Sequence, residues 1–75
     1  MFKKAKLKKQ IKKCHERIEE IERKRSRSQA ALVEAILTHT TPDDQDVDYF
    51  NRFTQQIEAE REVLKQLTTQ LNALS

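Results

Sequence analysis

The side chains of this 75-residue sequence that could do chemistry are one cysteine, two histidines and two clusters of like charge. Cys14 and His15 are neighbours, and on a helix neighbouring side chains point about 100° apart, which keeps the thiol and the imidazole from acting as a pair. Cys14 also falls on the apolar stripe described below, where a cysteine reads as a small packing residue rather than a nucleophile. No His and Cys stand at the four-residue spacing that would put two metal ligands on one helix face, so this chain alone assembles no metal site. The acidic run Asp43, Asp44, Asp46 and Asp48 lacks the glycine turn and closing glutamate of a helix–loop–helix calcium site, and helix capping with hydration accounts for it. No phosphate-binding loop or triad is present. The chain reads as non-enzymatic, with no cofactor.

The other cluster is basic. Lys3, Lys4, Lys6, Lys8, Lys9, Lys12 and Lys13 form a candidate anion-binding set at the N-terminal end, able to grip phosphates or an anionic membrane surface. They fall on several outward faces and have no interleaved aromatic residues for base stacking, so nucleic acid is the lesser of the partner readings. The formal net charge of +3 hides a division: Met1–Ser28 holds twelve Lys/Arg and four Glu, Gln29–Ser75 three Lys/Arg and eight Asp/Glu. Attraction between two arms of a hairpin is the first explanation of that division, and binding to an anionic partner is the second.

The elements that must position these groups are helical. The sequence has no glycine and one proline, and Glu, Lys, Arg, Gln and Leu dominate it. In the first arm Leu7, Ile11, Cys14, Ile18, Ile21, Arg25, Ser28, Leu32 and Ala35 follow alternating steps of four and three, a heptad stripe. Phe50, Phe53, Ile57, Glu60, Leu64, Leu67, Leu71 and Leu74 repeat it in the second. The fold class expected is all-α, a two-helix antiparallel coiled-coil hairpin completed by dimerisation or a partner. Folding the arms about a centre between Pro42 and Asp43 gives the layers Ala35 with Phe50, Leu32 with Phe53, Ser28 with Ile57, Arg25 with Glu60, Ile21 with Leu64, Ile18 with Leu67, Cys14 with Leu71 and Ile11 with Leu74. Arg25 and Glu60 then form one polar layer that sets the register, since an unpaired charge buried in the seam costs about 3–5 kcal/mol. The alternative is that both side chains reach past the seam to water.

Thr41 is expected to cap the second helix, Pro42 to occupy its first position, and Asp43 and Asp44 to complement its dipole. The boundaries expected are helix one over about residues 2–39, a turn over about 40–42 and helix two over about 43–73. His39 would lie opposite Asp46, hydrogen-bonded to it or exposed. In that register residues 1–9 form a basic overhang of about 13 Å beyond helix two. Around the turn, Ala30, Val33 and Leu37 lie away from the seam, and with Ile36, Val47, Tyr49 and Phe50 they form the candidate partner-binding surface, for another protein or for a second copy.

A chain this short buries little core without help from a partner. Its single cysteine rules out an intrachain disulfide and favours a reducing compartment, read as cytoplasmic. No apolar run approaches the roughly 20 residues that span a bilayer, and no apolar segment follows the N-terminal lysines to make a signal peptide.

The segment Asp46-Val47-Asp48-Tyr49-Phe50-Asn51-Arg52-Phe53-Thr54-Gln55-Gln56-Ile57-Glu58 resembles the acidic turn, tyrosine and Gln/Glu-rich second helix of small helical-hairpin co-chaperones from bacterial type III secretion systems. The resemblance covers less than a third of the chain. It implies a cytoplasmic hairpin that binds a second chaperone and helps keep an aggregation-prone secretion subunit in solution. Two readings compete with it: an RNA-binding hairpin dimer, similar in architecture to the plasmid Rop proteins, and a structural spacer hairpin whose tip contacts a larger machine.

Overall fold

With no glycine to loosen them and the one proline between them, both arms run as uninterrupted helices. The computed structural model describes residues 2–74, in which α1 (Phe2–Leu37) and α2 (Asp44–Ala73) pack as an antiparallel hairpin with no strand among the described residues. Thirty-six residues of α1 make a helix of about 54 Å, and the molecule is correspondingly a rod of 57 × 16 × 14 Å.

The connection is longer than the sequence suggests because α1 ends earlier and α2 begins later. His39 takes a left-handed conformation (φ 57°). Its N–H donates to the Ile36 carbonyl (3.2 Å) and the Thr40 N–H to the Ala35 carbonyl (2.9 Å), the paired bonds of a Schellman termination. The Thr38 and Thr40 hydroxyls add bonds to the Glu34 and Ala35 carbonyls, so the Glu34, Ala35 and Ile36 acceptors of the last turn are satisfied without glycine. At the other end Asp43, not Thr41, is the N-cap: its carboxylate accepts from the Gln45 N–H at 3.0 Å. Pro42 therefore precedes the cap instead of opening the helix, and Asp44 and Asp46 lie in the first turn, where negative charge is favoured.

The seam is built from the expected stripe residues except Leu74, which caps α2 and is 45% exposed, but its register is one heptad away from the expected one. Ile57 has no exposed surface and clusters with Cys14 and Ile18, flanked by Ile21 and Leu64, whereas the expected layer set it against Ser28. Arg25 and Glu60 do not meet. The Arg25 guanidinium carbon lies 6.0 Å from the Phe50 ring centre, and the Glu60 carboxylate accepts from Arg17 Nε at 3.2 Å. Pairing Arg25 with Glu60 is required only if each charge would otherwise be stranded. In fact the Phe50 ring face and the guanidinium of Arg17 on the seam's edge serve instead, so the slide leaves neither charge alone.

The slide moves α2 about 10 Å along α1 and removes the overhang. Leu7 is buried, and Leu7, Gln10, Gln70, Ala73 and Leu74 line one crevice, so the basic end is flanked by the last turns of α2. Met1 of the expected overhang lies outside the described residues. Burying a leucine contributes about 2 kcal/mol, a gain that the expected register, with Leu7 beyond the end of α2, would forgo. At the opposite end the last turn of α1 runs past the start of α2.

Few residues are fully covered. Leu7, Cys14, Ile18, Ile57 and Ser28 are buried, while Leu32, Ala35, Phe50, Phe53, Leu67 and Leu71 are only partly so. Two helices cannot cover both flanks of their own seam.

Candidate interaction surface

The turn end brings together apolar side chains that the hairpin itself does not use. Ile36 and Leu37 sit on the projecting last turn of α1 and are 67% and 74% exposed, with Val33 and Ala30 exposed one and two turns earlier. Val47 is exposed on the first turns of α2. Heptad spacing puts Val47 and Ile36 on one flank of the seam: Val47 stands two heptads before Arg61 and Ile36 two heptads after Glu22, and Arg61 Nη2 bonds Glu22 Oε1 across that flank at 3.2 Å.

Tyr49 and Phe50 are placed differently from the rest of the expected set. Tyr49 stacks on Phe53 (centroids 6.0 Å, planes 12° apart) and, with Lys24, Arg27 and Ser28, lines a shallow crevice on the other flank. Phe50 is a seam residue under Arg25. The patch in reach of one partner face is thus Val33, Ile36, Leu37 and Val47, bordered by Asp44 and Asp48. His39 is exposed and makes no bond to Asp46.

Charge is arranged along the rod rather than between its helices. Among the described residues two ion pairs cross the seam, Arg17–Glu60 and Glu22–Arg61, both in the middle third; a third, Glu20–Lys24 at 3.7 Å, runs along α1. Lys3, Lys4, Lys6, Lys8, Lys9, Lys12 and Lys13 have no carboxylate partner among the described residues, since the facing part of α2 after Glu62 carries only Lys65. Attraction between the arms, the first explanation of the uneven charge, therefore operates through the two pairs of the middle third, while towards each end like charge collects.

Cys14 is the most enclosed reactive group. Its Sγ is 3.3 Å from the Glu60 carbonyl oxygen and 3.4 Å from Glu60 Oε2, and it has no exposed surface. Burial pushes the thiol pKa up, the bond to Glu60 and the charge of Glu60 push the same way, and Arg17 opposes them. Such a thiol stays protonated and inert. Among the described residues no three His, Cys, Asp or Glu side chains gather to hold a metal ion, and no described helix is long and apolar enough to cross a membrane.

Two features escaped the sequence. One is the bond from Cys14 to Glu60, hidden because a seam cysteine normally packs as a hydrophobe. The other is a crevice at the basic end lined by Lys3, Lys4, Ala5, Lys8 and Leu74, which exists only in the observed register. No protein-family model, curated protein or solved structure matches the chain.

Proposed function

We propose that this chain is a non-enzymatic protein–protein interaction module that binds through the apolar patch at its turn end. The observation that carries the reading is the patch of Val33, Ile36, Leu37 and Val47: four aliphatic side chains exposed side by side on a rod whose own core needs none of them. In its finer form, suggested by the likeness of Asp46–Glu58 to the secretion co-chaperones, the module is a small cytoplasmic chaperone or adaptor that covers an aggregation-prone subunit. The test is capture of a partner by the tagged chain from the cells that make it, compared with the Val33→Asp/Leu37→Asp variant. Capture should be lost while circular dichroism stays unchanged. Undiminished capture by the variant would overturn the reading.

A second reading, an RNA-binding hairpin dimer, is favoured by the seven N-terminal lysines that face no carboxylate. It requires binding of labelled RNA that weakens steeply with salt. An anisotropy titration flat at low salt excludes it.

A further inference from the structure

The rod has two ends of opposite sign and one flank that carries a complementary feature at each. Between Phe2 and Lys13 there are seven lysines and no acidic residue, and the α2 segment alongside, Leu64–Leu74, adds only Lys65. Between Ser28 and Phe50 the charged residues are Glu34, Asp43, Asp44, Asp46 and Asp48, with no Lys or Arg. The flank marked by the Glu22–Arg61 pair carries the exposed Ile36 and Val47 at the acidic end. Lys8 stands two heptads before Glu22, on that same flank at the basic end, where it frames the crevice with Lys4, Ala5 and Leu74.

We infer that the occupant of the turn-end patch is a second copy of this chain, lying antiparallel against the same flank, so that each hairpin seats its turn end on the basic end of the other. The inference rests on the reading of the turn end as an interaction surface. A twofold axis across the middle of the flank maps patch onto crevice and crevice onto patch, so one contact is made twice and the assembly closes at two chains. Val33, Ile36, Leu37 and Val47 then cover Ala5, Leu74 and the aliphatic stems of Lys4 and Lys8, whose ammonium groups reach Asp44 and Asp48 at the rim. Near the axis lies the Glu22–Arg61 pair of each chain, whose two charges sum to zero, so the middle of the contact carries no net charge. A parallel pair would set the lysines against lysines and the aspartates against aspartates. Four helices also cover a flank of each seam that two leave open.

The experiment uses the full chain. Mass is measured by light scattering at about 100 μM in low salt and in high salt, and an equal mixture of unlabelled and nitrogen-15-labelled chain is cross-linked with a zero-length carbodiimide. Lys13 and Glu34 are 21 residues apart on one helix, about 31 Å, so a link between Lys3–Lys13 and Glu34 or Asp43–Asp48 must join two chains. The expected result is a two-chain mass that falls towards one chain as salt rises, with mixed-isotope links between those segments. Lys4→Glu/Lys8→Glu and Asp44→Lys/Asp48→Lys should each weaken self-association about tenfold or more, and mixing the two variants should restore a dimer.

A ladder of larger masses would mean open head-to-tail association, and a dimer lacking those links a different pairing; both overturn the antiparallel pair. A chain that stays single at both salt concentrations removes the second copy as occupant. If it still captures a protein through Val33 and Leu37, the interaction reading stands alone, and if it captures nothing, both readings fall. A single chain whose basic end binds an oligonucleotide assigns that end to nucleic acid and likewise overturns the pairing.

Discussion

The Cys14 thiol reaches across the seam to both the carbonyl oxygen (3.3 Å) and the carboxylate (3.4 Å) of Glu60, and Arg17 Nε shares that carboxylate oxygen from the rim. The one acidic interruption of the α2 stripe is therefore satisfied by an edge arginine and a buried sulfur. A thiol donates only while it is protonated, so the contact has a pH dependence. With the native pKa raised, the contribution of the protonated thiol is fully present below the ordinary thiol pKa of about 8.5 and is lost as pH rises through the native value. Denaturant unfolding at pH 7 and pH 10 should show a loss of stability that Cys14→Ala removes. Ellman's reagent should react with the native chain far more slowly than with the chain in denaturant.

The register can be read by cross-linking within one chain. In a Cys14→Ala background, I21C/I57C should form an intrachain disulfide under mild oxidation, because Ile21 packs against the cluster that contains Ile57. R25C/E60C should not, since their partners are Phe50 and Arg17. Mobility on a non-reducing gel with mass spectrometry decides between them, and the opposite pattern would restore the register expected from charge pairing.

His39 holds a left-handed backbone that a residue with a Cβ adopts at a cost. Replacing it with glycine keeps both Schellman bonds, which come from main-chain groups. His39→Gly should raise stability by about 1 kcal/mol, a rise of several degrees in Tm for a chain of this size. A fall in Tm would mean that the histidine side chain itself holds the turn.

Thr54 on α2 has a buried hydroxyl oxygen with no hydrogen-bond partner. Valine has nearly the same shape and no polar atom to leave unsatisfied. Thr54→Val should stabilise the hairpin by about 0.5–1.5 kcal/mol in a urea titration, and a loss of stability would show that the hydroxyl is bonded in solution.

Burial separates core from surface. Ile57 has no exposed surface, so Ile57→Ala should cost about 2–5 kcal/mol. Val33→Asp, at an exposed position, should change the stability of the single hairpin by less than about 0.5 kcal/mol. Thermal melts of the dilute chain compare the two directly.

The stripe from Leu7 to Ala35 and its counterpart from Phe50 to Leu74 were legible in the sequence because helical periodicity is local: alternating steps of three and four place these residues on one face whatever lies opposite. The break at Pro42 and the exposure of Val33 and Leu37 follow from the same local rules. The register was not legible, because a heptad repeat buries the same stripe when one arm slides by seven residues, and the repeat alone cannot choose. Only the packed pair decides it, by burying Leu7, by giving Glu60 the thiol and Arg17, and by laying Arg25 on Phe50. Termination at His39 was equally hidden, since a left-handed residue is signalled by glycine and this chain has none. Local periodicity and composition dictate two amphipathic helices and an uneven charge. Tertiary structure decided which residues face each other, and so turned that uneven charge into a rod with a basic end and an acidic, apolar one.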